Sequence, residues 1–366
     1  MVTIIGVGDI MPGGLLSGSS QKCADDDVLN VLQAGDVRVG TLECALGNEP
    51  TYDQEKVNDR GNVIYAKDDD IKRLHELNID VVSLANNHFF DLGEKGARHT
   101  IDLLDEFGIL HCGAGKNLEE AGKPVVVEKD NKSIAFLAFC DTDYNHVYWC
   151  TYATENKPGV NPMRKDYVKS EIEKAKSRYD YVVVLAHWGT EHTFDPNLST
   201  VKMAEIMFNA GADLVLGSHP HRVQPVINSH KKSVAYSMGN FLFPERLIAP
   251  PKVTYYPESQ MDYSLLPVTD EYPVVDCITL KTLPFLARVG MIVTTEIEGP
   301  EIKSYYKYSY LNKDNTLTLL DWERSVAVDK ELGWKEMLLK SHLYQMFMWT
   351  KIKLSTIKIR IKKYLK

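Results

Sequence analysis

The sequence predicts a large α/β domain. Short apolar runs rich in β-branched residues alternate along the chain with stretches in which apolar residues recur about every 3.6 positions, a pattern typical of strands alternating with helices. This alternation implies crossover connections, which leave polar loops at the carboxyl ends of the strands, where α/β sheets bind their ligands. The runs predicted as strands are residues 2–7, 37–42, 81–84, 134–139, 181–186 and 214–216.

The helices predicted between these strands cover residues 69–77, 94–107, 165–178 and 201–209, and each presents one apolar face. Residues 288–297 and 303–310 alternate apolar and polar positions, so we expect two late antiparallel strands. Residues 244–284 break this rhythm and are rich in Pro and Tyr, which indicates an insertion or lid loop. We therefore divide the chain into one domain over residues 1–325 and a helical, basic, amphipathic tail over residues 326–366.

Charge restricts the partners of this domain. The 366 residues carry a formal charge of −8, but residues 340–366 hold eight Lys or Arg and no acid, so residues 1–339, with 34 basic and 50 acidic residues, carry −16. An acidic body argues against nucleic acid as a partner. The basic and apolar tail could attach peripherally to anionic lipid or could pack on the acidic body, and the sequence leaves both interpretations open.

We expect a cytoplasmic protein, with the tail as a possible peripheral contact at the inner face of the membrane. The chain shows no export signal and no run of about 18 apolar residues. Its cysteines lack C-x-x-C spacing and the density of a disulfide scaffold, which predicts cytosolic thiols. They are Cys23, Cys44, Cys112, Cys140, Cys150 and Cys277.

Two acidic residues follow predicted strands. Asp9 lies in a Gly-rich turn after the first strand, and Glu43 follows the second. An isolated Asp in such a place is usually a turn residue. Two carboxylates at strand ends are nevertheless candidate metal ligands, with Glu43 as the possible bridge between two ions.

A more specific group of polar residues follows the third strand and precedes a helix. Asn87 offers a neutral oxygen ligand, and the neighbouring His88 can act as a general acid or stabilise an oxyanion. Asp91 could orient His88 or cap the next helix, and capping is the expected role. Asn86 belongs to the same loop.

Three histidines follow two later strands. His187 ends one strand, and His219 and His221 follow the next. Imidazole is the commonest transition-metal ligand, so together with Asp, Glu and Asn these residues predict a divalent metal site that suits Mn, Zn or Fe better than Mg. Arg222 comes next, and could bind a phosphate or carboxylate or form a surface salt bridge.

At these motifs the chain resembles the CapA family of bacterial capsule and poly-γ-glutamate synthesis proteins, a branch of the calcineurin-like metallophosphoesterase fold. The resemblance covers residues 3–243 and implies a sandwich of mixed β-sheets flanked by helices. Its motifs, in the family's order, are GDIMPGG at 8–14, TLE at 41–43, SLANNHFFDLG at 83–93, AHWGTE at 186–191, GADLVLGSHPHRVQP at 211–225 and YSMGNFLF at 236–243.

The resemblance also implies roles for single residues. Met11 stands where phosphoesterases usually carry a further His, and a thioether is a poor ligand for hard or borderline dications, so one implied site has a ligand fewer. We expect Asn86, Trp188 and Glu191 to contact substrate. The implied ligands are Glu43, Asn87, His187 and His219 for one ion and Asp9, Glu43 and His221 for another, with His88 as the general acid.

The function that the resemblance implies is metal-dependent hydrolysis, with one or two ions, in the synthesis or trimming of a capsule-like anionic polymer. Two alternatives remain open. One is metal-assisted proton transfer on a peptide substrate, such as epimerisation at an α-carbon. The other is a non-catalytic assembly factor of a polymer-synthase complex, in which the metal is structural.

Overall fold

A computed structural model describes residues 1–49, 62–142, 150–229, 231–257, 261–271, 274–340 and 348. No helix in these ranges is long and apolar enough to cross a membrane. The strands are β1 Val2–Ile10, β2 Val37–Leu42, β3 Ala45–Leu46, β4 Tyr65–Ala66, β5 Val81–Ser83, β6 Leu110–Cys112, β7 Ala114–Gly115, β8 Val125–Lys129, β9 Lys132–Asp141, β10 Gly159–Val160, β11 Pro162–Met163, β12 Tyr181–His187, β13 Leu214–Ser218, β14 Val226–Ser229, β15 Lys232–Ala235, β16 Arg246–Ala249, β17 Val253–Tyr255, β18 Val268–Thr269, β19 Thr279–Lys281, β20 Val289–Glu298, β21 Glu301–Leu311 and β22 Leu317–Leu319.

The α-helices lie between these strands and at the carboxyl end of the described chain. Helix α1 begins after Asp25, whose side chain accepts a hydrogen bond from the Val28 amide, and α6 ends at Gly211, which has a φ of 113°. Both ends follow the usual capping chemistry. The α-helices are α1 Asp26–Gln33, α2 Lys72–Glu76, α3 Gly93–Glu106, α4 Leu118–Ala121, α5 Lys165–Lys176, α6 Leu198–Ala210 and α7 Trp322–Lys340, and 3-10 helices cover Gly14–Leu16, Asp68–Ile71, Tyr263–Leu265 and Phe285–Ala287.

Two large mixed sheets form the sandwich. The first has the order β22-β21-β20-β1-β2-β5-β6, and the second has the order β11-β9-β12-β13-β15-β14, with β8 paired to β9. The main hydrophobic core joins the facing sides of the two sheets. A second core includes buried residues of β9 and β12 together with residues of α5 and α6. The predicted α/β sandwich of mixed sheets flanked by helices is therefore confirmed.

The central strands are buried on both faces, as parallel strands covered on both sides should be. Strand β12, for example, is buried at every position and is parallel to both β9 and β13. The six predicted early strands and both predicted late strands are present, with ends that differ by a few residues. The helix predicted over residues 69–77 consists of a 3-10 turn followed by α2.

The segment predicted as an insertion or lid loop, residues 244–284, contains regular strands in its described residues. It forms a small sheet of its own with the order β17-β16-β19-β18. This insert sheet contacts the main body, because Val253 packs in a small cluster with Val63 and Leu92 and the Tyr256 hydroxyl accepts a hydrogen bond from the Gly14 amide at 2.9 Å.

The predicted tail begins inside α7, because the division between residues 325 and 326 falls within that helix. Val328 and Leu332 of α7 are buried in the main core. Lys335 is also buried, with its ammonium 3.5 Å from Asp195 Oδ1. Helix α7 is therefore packed on the domain, and residues 341–347 and 349–366 of the predicted tail lie outside the described residues.

Candidate metal centre

The candidate centre lies where the two large sheets touch. The backbone amide of Asp9 donates to the Gly239 carbonyl at 3.0 Å, and the Asp9 carbonyl accepts from the Phe241 amide at 2.9 Å. A Cβ atom on Gly8 would lie 1.8 Å from the Gly239 carbonyl oxygen. Glycine is therefore required at position 8, and this close backbone contact fixes the position of Asp9 against the segment that follows β15.

Asp9 and Glu43 place two carboxylates in the interior of the protein. Both residues have 0% exposure. Asp9 Oδ1 and both carboxylate oxygens of Glu43 have no hydrogen-bond partner within the described chain. Burial raises the pKa of Asp9 to about 7, and burial together with the nearby Asp9 charge raises the pKa of Glu43 well above its ordinary value. Buried oxygens without donors are costly, and a bound cation would satisfy them.

His187 and His219 adjoin Glu43 from the second sheet. His187 Nε2 lies 2.7 Å from Asn87 Oδ1 and 3.1 Å from His219 Nδ1, and it is 3.5 Å from Glu43 Oε1. On the other side of the ring, His187 Nδ1 lies 3.0 Å from the Ser218 hydroxyl. Ser218 thus orients the imidazole from behind, as the partners of metal-binding histidines commonly do.

His221 adjoins both carboxylates, and its Nδ1 lies 3.6 Å from Asp9 Oδ2. Its Nδ1 lies 2.7 Å from Asn240 Oδ1, and the Asn240 amide donates to the Ala287 carbonyl at 2.8 Å. This leaves His221 Nε2 facing Glu43 Oε1 at 3.6 Å. Burial lowers the pKa of His221 to about 3, so the ring is neutral and can act as a ligand. His221 has a φ of 50°, a strained conformation for a non-Gly residue that clusters at functional sites.

These side chains form two candidate ligand groups that share one residue. Glu43, His187 and His219 form one, and Asp9, Glu43 and His221 form the other, with the ligand atoms of each group within 4.8 Å of one another. Mixed carboxylate and imidazole donors suit Zn, Mn or Fe. The unsatisfied carboxylate oxygens, the neutral His221 and the shared Glu43 therefore fit the predicted divalent metal, with Asn87 Oδ1 beside the first group.

Met11 does not belong to either ligand group. Its side chain is fully buried in the main hydrophobic core. The group formed by Asp9, Glu43 and His221 offers three candidate ligands, and the lower number of ligands expected from Met11 stays a prediction.

His88 and Asp91 form a pair next to these groups. His88 Nδ1 lies 2.7 Å from Asp91 Oδ2, and that oxygen also accepts a hydrogen bond from the Ile64 amide at 2.7 Å. Burial opposes protonation of His88, but the charge and hydrogen bond of Asp91 raise its pKa above the ordinary value. Helix α3 begins after Leu92 without a side-chain cap. The predicted capping role of Asp91 is therefore wrong, and Asp91 orients His88.

Two of the residues predicted to contact substrate have structural roles. Asn86 is buried, donates to the Leu42 carbonyl at 2.8 Å and accepts from the His88 amide at 3.0 Å, so it holds its loop against the end of β2. Trp188 has 0% exposure, and its indole donates to the Tyr236 carbonyl at 2.8 Å. Trp188 packs in the second core, which contradicts a direct contact with substrate.

Charged residues surround the two ligand groups. Burial is the largest influence on the pKa values of Asp9, Glu43 and His88. Glu191 is exposed, and its negative charge makes a smaller contribution that raises all three pKa values. Arg222 is half-buried and donates to the His221 carbonyl at 2.7 Å.

Arg246 is a buried cation that our sequence analysis missed. It lies three residues after the last family motif, and this position in the sequence is a signal by which it could have been identified. Its guanidinium lies 5.4 Å from the centre of the Phe243 ring, which in turn lies 5.4 Å from the His221 ring.

The fold and the site together define an α/β protein with two adjoining carboxylate–imidazole ligand groups that share a glutamate. The chain belongs to the family described as bacterial capsule synthesis protein PGA_cap, whose model matches residues 3–245. It is 31% identical over 242 residues to the PGA biosynthesis protein CapA of Bacillus subtilis, a match that covers 65% of this chain and 62% of that protein. It is 31% identical over 250 residues to the capsule biosynthesis protein CapA of Bacillus anthracis, with 66% and 60% covered.

The matched region thus spans about three fifths of the length of these relatives. Among solved structures, the chain is similar to the calcineurin-like phosphoesterase YfkN of Bacillus subtilis, with a TM-score of 0.44, 13% identity, and coverage of 93% of this chain and 98% of that one. The family model that matches residues 3–245 confirms the predicted family.

Proposed function

We propose that this protein is a metal-dependent hydrolase that acts on an anionic polymer or peptide in capsule synthesis. The observation that carries the proposal is the group of buried carboxylate oxygens of Asp9 and Glu43, which lack hydrogen-bond donors in the described chain and lie beside three histidines. The names of the relatives refer to PGA biosynthesis and capsule biosynthesis, and this is why we propose an anionic polymer as the substrate.

The residues of the chain would divide the work between binding and proton transfer. Glu43, Asn87, His187 and His219 would hold one divalent ion, and Asp9, Glu43 and His221 a second. When bound, such ions supply Lewis acidity and permit hydrolysis at neutral pH.

His88 is the proposed general acid. Its Nδ1 is held by Asp91, so Nε2 is the nitrogen available to donate a proton to the leaving group. The raised pKa of His88 keeps a larger fraction of this ring protonated near neutral pH, which suits an acid. Arg222 and Arg246 add positive charge near the ligand groups, and this charge favours an anionic substrate.

The test separates metal binding from proton transfer. Purified protein is loaded with Mn²⁺, and turnover of an aryl phosphate and of an oligo-γ-glutamate is measured together with metal content by elemental analysis. His88→Ala should lower turnover on the order of 10²–10⁴-fold with metal content intact, whereas His219→Ala should lower metal content. His99→Ala is a matched control, because His99 is exposed and pairs with Asp68 outside the site.

Two outcomes would contradict parts of the proposal. If His88→Ala loses metal as fully as His219→Ala does, the assigned division of roles is wrong. If the protein binds metal but hydrolyses neither substrate, the proposed hydrolysis of these substrates is wrong. That result would favour the alternative of a non-catalytic assembly factor.

A further inference from the structure

Cys140 and Cys150 bring two thiols together in the interior of the domain. Their Sγ atoms are 3.4 Å apart, and the residues have exposures of 0% and 5%. A disulfide S–S bond is about 2.05 Å long, so these sulfurs need to approach each other by a small distance. All six cysteines lie in the described ranges, and this is the pair among them with a sulfur–sulfur contact.

The pair lies beside a strand that carries a candidate metal ligand. Cys140 is the last residue but one of β9, and it is in register with His187 of β12 on one side and with Pro162 of β11 on the other. Its amide donates to the Asn161 carbonyl at 2.8 Å. The backbone of Cys140 is therefore fixed by neighbouring strands, and a bond to Cys140 would tie Cys150 to the edge of the candidate centre.

We propose that the fold favours a reversible intramolecular disulfide between Cys140 and Cys150. The oxidant is a low-molecular-weight disulfide, for which glutathione disulfide serves as the probe. One cysteine thiolate attacks a sulfur of the oxidant and releases one glutathione thiol, and the second cysteine then displaces the other. Overall, the two cysteine protons pass to the two glutathione thiols, one S–S bond breaks and the Cys140–Cys150 bond forms, with a transfer of two electrons.

The burial of the pair determines how fast this reaction can be. Burial, together with the neighbouring Cys150 thiol, raises the pKa of Cys140 well above its ordinary value, so little thiolate is present near neutral pH. Because the thiolate is the attacking species, oxidation of the folded protein takes place slowly. The experiment therefore uses incubation for about a day and measures the position of equilibrium.

The full chain is equilibrated in glutathione buffers of graded composition, quenched with acid, unfolded, alkylated and digested with trypsin. The segment between Lys132 and Arg164 is released as one peptide, because Lys157 precedes a proline, and it contains only Cys140 and Cys150. We expect this peptide to lose the mass of two hydrogens and to carry no alkyl group. Cys112→Ser is the matched control, since Cys112 is also a buried strand-end cysteine, and it should leave the result unchanged.

A parallel experiment in guanidinium chloride shows whether the fold favours the bond. Two cysteines ten positions apart in an unfolded chain also pair to some extent, but the folded chain holds them at a higher effective concentration. We expect an equilibrium constant for oxidation at least tenfold larger in the folded protein. Equal constants in the two states would overturn the proposal, as would a folded-state peptide that carries two alkyl groups or separate glutathione adducts.

Discussion

The substitution Asp9→Asn tests the electrostatics of the candidate centre most directly. Burial raises the pKa of Asp9 from 3.8 to about 7, against the opposing hydrogen bond from the His219 amide. The folded protein therefore binds this proton more tightly than the unfolded chain does. The resulting stability is fully present below pH 3.8 and is lost as the pH rises through 7, and it amounts to about 4 kcal/mol at 1.36 kcal/mol for each pH unit.

Asparagine carries no titratable charge, so the stability of the variant does not fall in this way as the pH rises. In the presence of a chelator, the free energy of unfolding of Asp9→Asn relative to the natural chain should rise by about 4 kcal/mol between pH 4 and pH 8. Mn²⁺ at 100 times its Kd should reduce this difference at pH 8, because it stabilises the natural chain by about 2.7 kcal/mol and stabilises the variant, which lacks one candidate ligand, by less.

The assay is denaturant unfolding at a series of pH values, with chelator and with Mn²⁺. Asp70→Asn is the control, since Asp70 is also buried with a raised pKa but belongs to neither ligand group. This control should show a pH effect of the same sign and keep the full stabilisation by Mn²⁺. Parallel pH profiles for Asp9→Asn and the natural chain, or equal stabilisation of both by Mn²⁺, would refute the reasoning.

Three further predictions concern other parts of the molecule. Asp91→Asn removes a charge that raises the pKa of His88, so NMR titration of His88 should give a lower pKa than in the natural chain, and an unchanged value would contradict the proposed pairing. Lys335→Met removes the ammonium that pairs with the buried Asp195, so the free energy of unfolding should fall by about 3 kcal/mol. The control Lys330→Met, on the exposed face of α7, should change the free energy of unfolding by less than about 0.5 kcal/mol. A chain truncated after Leu339 is compared with the intact chain by sedimentation with anionic vesicles. If only the intact chain binds at low salt, the tail contacts the membrane, with about 1 kcal/mol of binding free energy for each basic residue. A truncated chain that fails to fold supports packing of the tail on the body.

The sequence predicted the main strands and the ligand groups because both depend on local signals. A buried strand such as β12 is a continuous apolar run, and each candidate ligand comes directly at or after such a run. The insert sheet escaped prediction because its strands have two to four residues, which is too short for any periodicity to be visible.

The role of a single side chain escaped prediction where a distant partner decides it. Asp91 orients His88 in part because the amide of Ile64, 27 positions away, also binds its carboxylate. Trp188 is directed into the core by the carbonyl of Tyr236, 48 positions away. No local pattern in the sequence indicates contacts between residues that lie this far apart along the chain.

The contact between Gly8 and Gly239 also limits how the protein can change. Since any side chain at position 8 would collide with the Gly239 carbonyl, a substitution there would displace the backbone that holds Asp9. A variant at this position should therefore disturb the fold and the arrangement of the candidate ligands together, so that one substitution cannot change either property alone.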